Sequence, residues 1–125
     1  MKPHLLMLMI LAACCAGIEA HADAESVAGI PLYPGASSSG VESSQKMLKD
    51  SGYPTAVCRR TKDSVAQVVT FYRGQKQMQI LGEPSKDNAS FAGPAGASMS
   101  INSPWVDTQT LVSSKDTMIC IVARK

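Results

Sequence analysis

Histidine is nearly missing from this chain of 125 residues: it has only His4 and His21, and both precede Asp23. A domain that begins at Asp23 therefore has no imidazole. It can run neither a Ser-His-Asp nor a Cys-His mechanism. It has no histidine ligand for zinc, copper or iron, and two cysteines alone do not close a tetrahedral zinc site. Charge of one sign is also lacking. Twelve Lys and Arg against ten Asp and Glu give a net charge of +2. That bias is too weak to argue for nucleic acid or for an anionic membrane surface. Aromatic residues are few: Tyr33, Tyr53, Phe71, Tyr72, Phe91 and Trp105. No basic patch interleaves with them, which argues against stacking of single-stranded nucleic acid. Residues 91–97 are rich in Gly, Pro and Ala but have no phosphate-loop order and no following Gly-Lys-Ser/Thr. Neither an internal repeat nor a coiled-coil heptad is present. The sequence calls for no cofactor and no metal.

One long apolar run is present, and it lies at the start. Met1-Lys2-Pro3-His4 carries a positive charge, residues 5–15 are unbroken apolar, and residues 16–22 end in Ala20-His21-Ala22. These are the three parts of a secretory signal peptide with a small-x-small cleavage site. The run is shorter than the roughly 20 residues that cross a bilayer. The expectation is a signal peptide over 1–22 and a mature chain in the periplasm or secreted. Leu11-Ala12-Ala13-Cys14 also fits a bacterial lipobox. It leaves open an outer-membrane lipoprotein, lipidated at Cys14 and touching the membrane only through that anchor.

Lys2 and Glu19 leave with the signal, so the mature charge stays at +2. What remains is enough for one small domain, near the lower end of comfortable stability. Cys58 and Cys120 are then an even pair in an oxidising compartment, each inside a β-prone run. A bridge between them, the favoured reading, closes a loop of roughly 60 residues and stabilises by about 2–4 kcal/mol; the alternative is two separately buried free thiols.

Residues 23–40 read as an extended segment pinned by Ile30, Leu32 and Tyr33, with a turn at Pro34-Gly35. Residues 41–125 read as the domain. Residues 41–48 are ambiguous between a short helix and a polar edge strand, and the strand is the preferred reading because residues 53–61 follow as strand. The best helix is 63–72: Val65, Val68, Val69 and Tyr72 form one stripe, with Asp63 or Ser64 as cap and Ser64 with Gln67 as a capping box. Residues 83–97 read as loop, 98–102 as a half-buried strand, and 117–123 as a central strand with one face under the helix and the other under loops. The predicted fold is α+β: one main helix on an antiparallel sheet of about four strands.

Tyr33-Pro34-Gly35-Ala36, followed by Thr61-Lys62-Asp63-Ser64-Val65 and Val68-Val69-Thr70-Phe71-Tyr72, resembles a group of small exported bacterial proteins, largely uncharacterised. They share a YPGA-like turn and a DSVxxVxxFY helix. The resemblance spans roughly residues 30–81. It implies an envelope setting and a strand-then-helix order, and it carries no catalytic residue.

Candidate binding residues are Tyr33, Arg59, Arg60 and Trp105. Trp105 after Ser103-Pro104 is either a binding anchor or a cap on the core. Arg59 and Arg60 with Lys62 are either a contact for an acidic partner or a solvated strand end guarding a sheet edge. Asn88-Ala89-Ser90 is a formal glycosylation sequon, taken as chance in a bacterial setting. The composition points to a non-catalytic envelope protein that binds another protein or an envelope component, as an inhibitor, immunity or accessory factor. The alternatives are a histidine-free hydrolase using two of Glu83, Asp87 and Asp107, and a purely structural lipoprotein. N-terminal sequencing and intact mass of the exported form are expected to give a chain starting at Asp23. A lipidated Cys14 at the N-terminus would establish the anchored form instead.

Overall fold

A computed structural model describes residues 25–106 and 113–124. Residues 1–22, expected as a signal peptide, together with Cys14 and Asp107, lie outside the described residues. In chain order the elements are β1 (Ser26–Val27), β2 (Ile30–Pro31), α1 (Glu42–Asp50), β3 (Thr55–Thr61), α2 (Val65–Arg73), β4 (Gln79–Leu81), β5 (Asn88–Ala92), β6 (Ser98–Asn102), β7 (Trp105–Val106), β8 (Ser113–Ser114) and β9 (Thr117–Ala123). A 3₁₀ turn at Pro94–Gly96 joins β5 to β6. The main sheet has five antiparallel strands in the order β3-β9-β6-β5-β4, and β1-β2 and β7-β8 form two small ribbons.

The α+β class holds: among the described residues there are two helices and a main sheet of five strands, where one helix and about four strands were expected. Residues 42–50 are a helix and not the edge strand of the sequence reading. Its inward positions are Val41, Ser44 and Leu48, a helical spacing in which a serine replaces the middle apolar residue. That substitution hid the stripe. Residues 88–92, read as loop, form β5, with Ala89 and Phe91 inward and Asn88 and Ser90 outward. Small alanines and the flanking prolines masked this alternation. Strand β9 is interior, as expected, and on its second face Cys120 and Met118 pack with Val41, Leu48 and Trp105, while α1 itself lies over β3.

Each face of the sheet carries its own core. On one, Ile119, Ile121, Met99, Ile101, Ala89 and Phe91 pack against Val65, Val68, Val69 and Tyr72 of α2. Burial of that stripe holds α2 in place, and its amino end is closed by the expected Ser64–Gln67 capping box. Ile30 is fully buried in the same core, so the amino-terminal segment belongs to the domain. Gly93 makes room for it: a Cβ there would lie 2.6 Å from Ile30 Cδ1. The β1-β2 hairpin turns through Ala28 and Gly29, both at positive φ. Two-residue turns of that kind favour glycine because it carries no Cβ clash.

On the other face, Val41, Cys58, Trp105 and Cys120 form a second cluster, flanked by Leu48 and Met118. Cys58 and Cys120 sit directly opposite each other across β3 and β9 and are joined by a disulfide. The outer edge of β3 is occupied. The Cys58 amide donates to Gln45 Oε1 of α1 at 3.0 Å. Arg60 and Ser37 exchange two backbone hydrogen bonds of 2.9 and 2.8 Å. These contacts cover a row of strand groups that would otherwise invite pairing with another chain.

Replacing Cys58 and Cys120 by alanine is expected to lower the unfolding free energy by about 2–4 kcal/mol. Urea denaturation followed by Trp105 emission measures this, because the only tryptophan packs against the bridge. A midpoint equal to that of the parent protein would show the bridge to be thermodynamically idle.

Candidate cleft at the amino end of helix α2

Asp63 joins three segments through three of its own groups. Its amide donates to Thr61 Oγ1 at 3.2 Å. Its carbonyl accepts from Thr117 Oγ1 of β9 at 2.6 Å. Its carboxylate accepts from the Tyr33 hydroxyl, also at 2.6 Å. A charge-assisted hydrogen bond of this length is stronger than a neutral one. Tyr33 also meets Phe71 edge-on, with ring centroids 5.3 Å apart. Phe71 in turn meets Tyr72 at 4.9 Å. The Tyr72 hydroxyl donates to the Pro31 carbonyl at 2.7 Å. The YPGA-like turn and the DSVxxVxxFY helix are therefore two halves of one contact system.

This system walls two adjoining concavities that share Lys62 and Asp63. The larger, of about 420 Å³, runs from the first turn of α2 to Ser103, Pro104 and Thr117, with Lys86, Asp87 and Lys115 on its rim. The smaller, of about 360 Å³, is bounded by Gly35, Ser37, Arg60, Thr61 and Asp116. Backbone bonds brace the larger one: the Ser103 amide donates to the Asp87 carbonyl at 2.8 Å. The Ser103 hydroxyl donates to the Lys115 carbonyl at 3.0 Å.

Charge in the two concavities is distributed differently. Arg60 Nε lies 3.8 Å from Asp116 Oδ2, a loose and partly exposed pair worth at most about 1 kcal/mol. Lys62, Lys86 and Lys115 are exposed, and among the described residues none of them has a carboxylate within ion-pair distance. The three lysines come from three loops: β3 to α2, β4 to β5, and β8 to β9. No group of three or more His, Cys, Asp or Glu converges as a metal-binding set among the described residues. Nor is any helix there long and apolar enough to cross a membrane.

The residues singled out from the sequence separate. Tyr33 and Arg60 both come to this end of the sheet, one through Asp63 and the other as a wall of the smaller concavity. Arg59 does not join them. Its register partner is Ile119, on the opposite sheet face from Arg60, and its guanidinium donates back to the Cys58 carbonyl at 2.9 Å. Trp105 is 7% exposed in the disulfide cluster, the core position. Its indole Nε1 finds no acceptor among the described residues. Lys86, Lys115 and Asp116 escaped sequence reasoning because each sits alone in a polar turn and only the fold gathers them. The pairing of the Tyr33 motif with the Asp63 motif was the available signal.

Burial, then the hydrogen bond to Asp63 and its negative charge, push the Tyr33 hydroxyl up to about 12 from the ordinary 10.0. Burial also raises Tyr72, with the charge of Tyr33 second. The folded state holds the Tyr33 proton more tightly than the unfolded chain does. Its contribution is thus complete below pH 10.0 and is lost as pH rises through about 12. Tyr33→Phe is expected to cost about 1–2 kcal/mol at neutral pH, and to remove one phenolate step near pH 12 from the ultraviolet titration. An unchanged melting temperature, with the lost phenolate step lying near pH 10.0 and not near 12, would show that the bond contributes nothing.

Searches against protein-family models, curated proteins and solved structures return no match to this chain.

Proposed function

We propose that this chain is an exported bacterial envelope protein that acts without catalysis, binding a protein or envelope component at the cleft beside the amino end of α2. The observation that carries the reading is the Tyr33–Asp63 hydrogen bond, which fixes the two sequence motifs beside a concave surface. A cleft braced by backbone bonds on several loops is already shaped before a partner arrives, and preorganisation lowers the ordering cost of binding. The Cys58–Cys120 bridge supports the export side of the proposal, since such bridges persist in oxidising compartments. Arg60 and Tyr33 frame the site, and Lys62 stands on the wall common to both concavities.

The hydrolase alternative needs two carboxylates facing one substrate. Asp87 lines the larger concavity without Glu83, and Asp107 is outside the described residues. Asp63, the other carboxylate there, is held by Tyr33. The binding reading is the better supported.

Lys62→Trp places bulk in both concavities at a residue with no ion pair among those described. The immobilised variant is expected to retain the envelope component captured by the parent protein at least about tenfold less well, roughly 1.4 kcal/mol, with its melting temperature unchanged. Equal retention by both proteins would overturn the placement of the site.

A further inference from the structure

We infer that the larger concavity binds a phosphate group, and this rests on the reading of that cleft as the binding site. The argument is the number of its cations, their origin in three loops, and the lack of a paired carboxylate among the described residues. Lys62, Lys86 and Lys115 approach from three separate loops, and none is spent on a carboxylate among the described residues. A lysine ammonium is a compact point charge on a flexible stem, and it binds phosphate oxygens in that way. Three point charges around a concavity suit a tetrahedral oxyanion, whose oxygens point in separate directions. The arginine of this region is in the neighbouring concavity, facing Asp116. The first turn of α2 is not what carries the inference, because the capping box already occupies the amides of Ser64 and Gln67.

Two carboxylates share the lining. Asp63 is tied to the Tyr33 hydroxyl. Asp87 is exposed on the rim, and its charge opposes an anion. Three lysines against two aspartates leave the concavity with a single net positive charge. The site therefore binds weakly, and it responds to the removal of either sign.

The test uses the intact exported protein with inorganic pyrophosphate as probe, by calorimetry at low salt. Saturable binding is expected. Each of Lys62→Gln, Lys86→Gln and Lys115→Gln weakens it roughly three- to fivefold, Asp87→Asn tightens it, and raising the salt to 1 M abolishes it. Succinate, a dicarboxylate, binds more weakly than pyrophosphate. Vesicles of phosphatidylglycerol, compared with phosphatidylcholine, then locate the source. Retention on the first alone, competed by pyrophosphate, assigns a lipid headgroup. Pyrophosphate binding without vesicle retention assigns a soluble phosphate compound. No saturable binding, lysine variants that bind like the parent, or succinate binding as tightly as pyrophosphate would each overturn the inference. If phosphate fails while Lys62→Trp still loses its envelope partner, only the ligand class falls. If both fail, the cleft itself is wrong.

Discussion

The antiparallel pairing of β3 with β9, fixed at the Cys58–Cys120 position, is the constraint on which the rest of the structure depends. It joins residues 62 apart in sequence. A one-residue slip would turn the two cysteines to opposite faces and scatter both cores. On the bridged face it creates the apolar patch that Val41, Leu48 and Trp105 cover. At the far end it brings Arg60 and Thr61 beside Asp116, Thr117 and Lys115. Core and cleft thus share one register.

Asp63 converts that register into a shaped surface. A residue just ahead of a helix is most simply a cap, and here Ser64 takes that task. Asp63 is thereby released to bind Tyr33 through its side chain and Thr117 through its carbonyl. The aromatic chain Tyr33, Phe71, Tyr72, Phe91 continues the contact from the surface to the core. Two short motifs some thirty residues apart therefore belong together for a structural reason.

Much of the fold was legible. The Val65, Val68, Val69, Tyr72 stripe and the Ser64 capping box identified α2, and two cysteines in β-prone runs favoured the bridge over two free thiols. The failures share a cause. In α1 a serine stands at a buried helical position, so apolar periodicity was too thin to outweigh the neighbouring strand. In β5 the inward residues are Ala89 and Phe91, and alanine gives little contrast with Ser90. Both segments take their structure from the surface they cover or pair with, as tertiary context commonly overrides weak local preference.

The cleft was half legible. Tyr33 stood out in the YPGA-like turn and Arg60 in the Arg59-Arg60-Lys62 charge run, whereas Lys86 and Lys115 stand in unremarkable polar turns. By itself the sequence determined the scarcity of imidazole, the near balance of charge, the apolar run at residues 5–15, the strong helix and the pair of cysteines, because composition and short-range periodicity are properties of the chain alone. Only the tertiary structure decided that Arg59 and Arg60 face opposite sides of the sheet, that Trp105 lies in the core, and that three lysines surround one cleft. These depend on strand register and on which loops meet at one end of the sheet, and pairings across sixty residues leave no local trace.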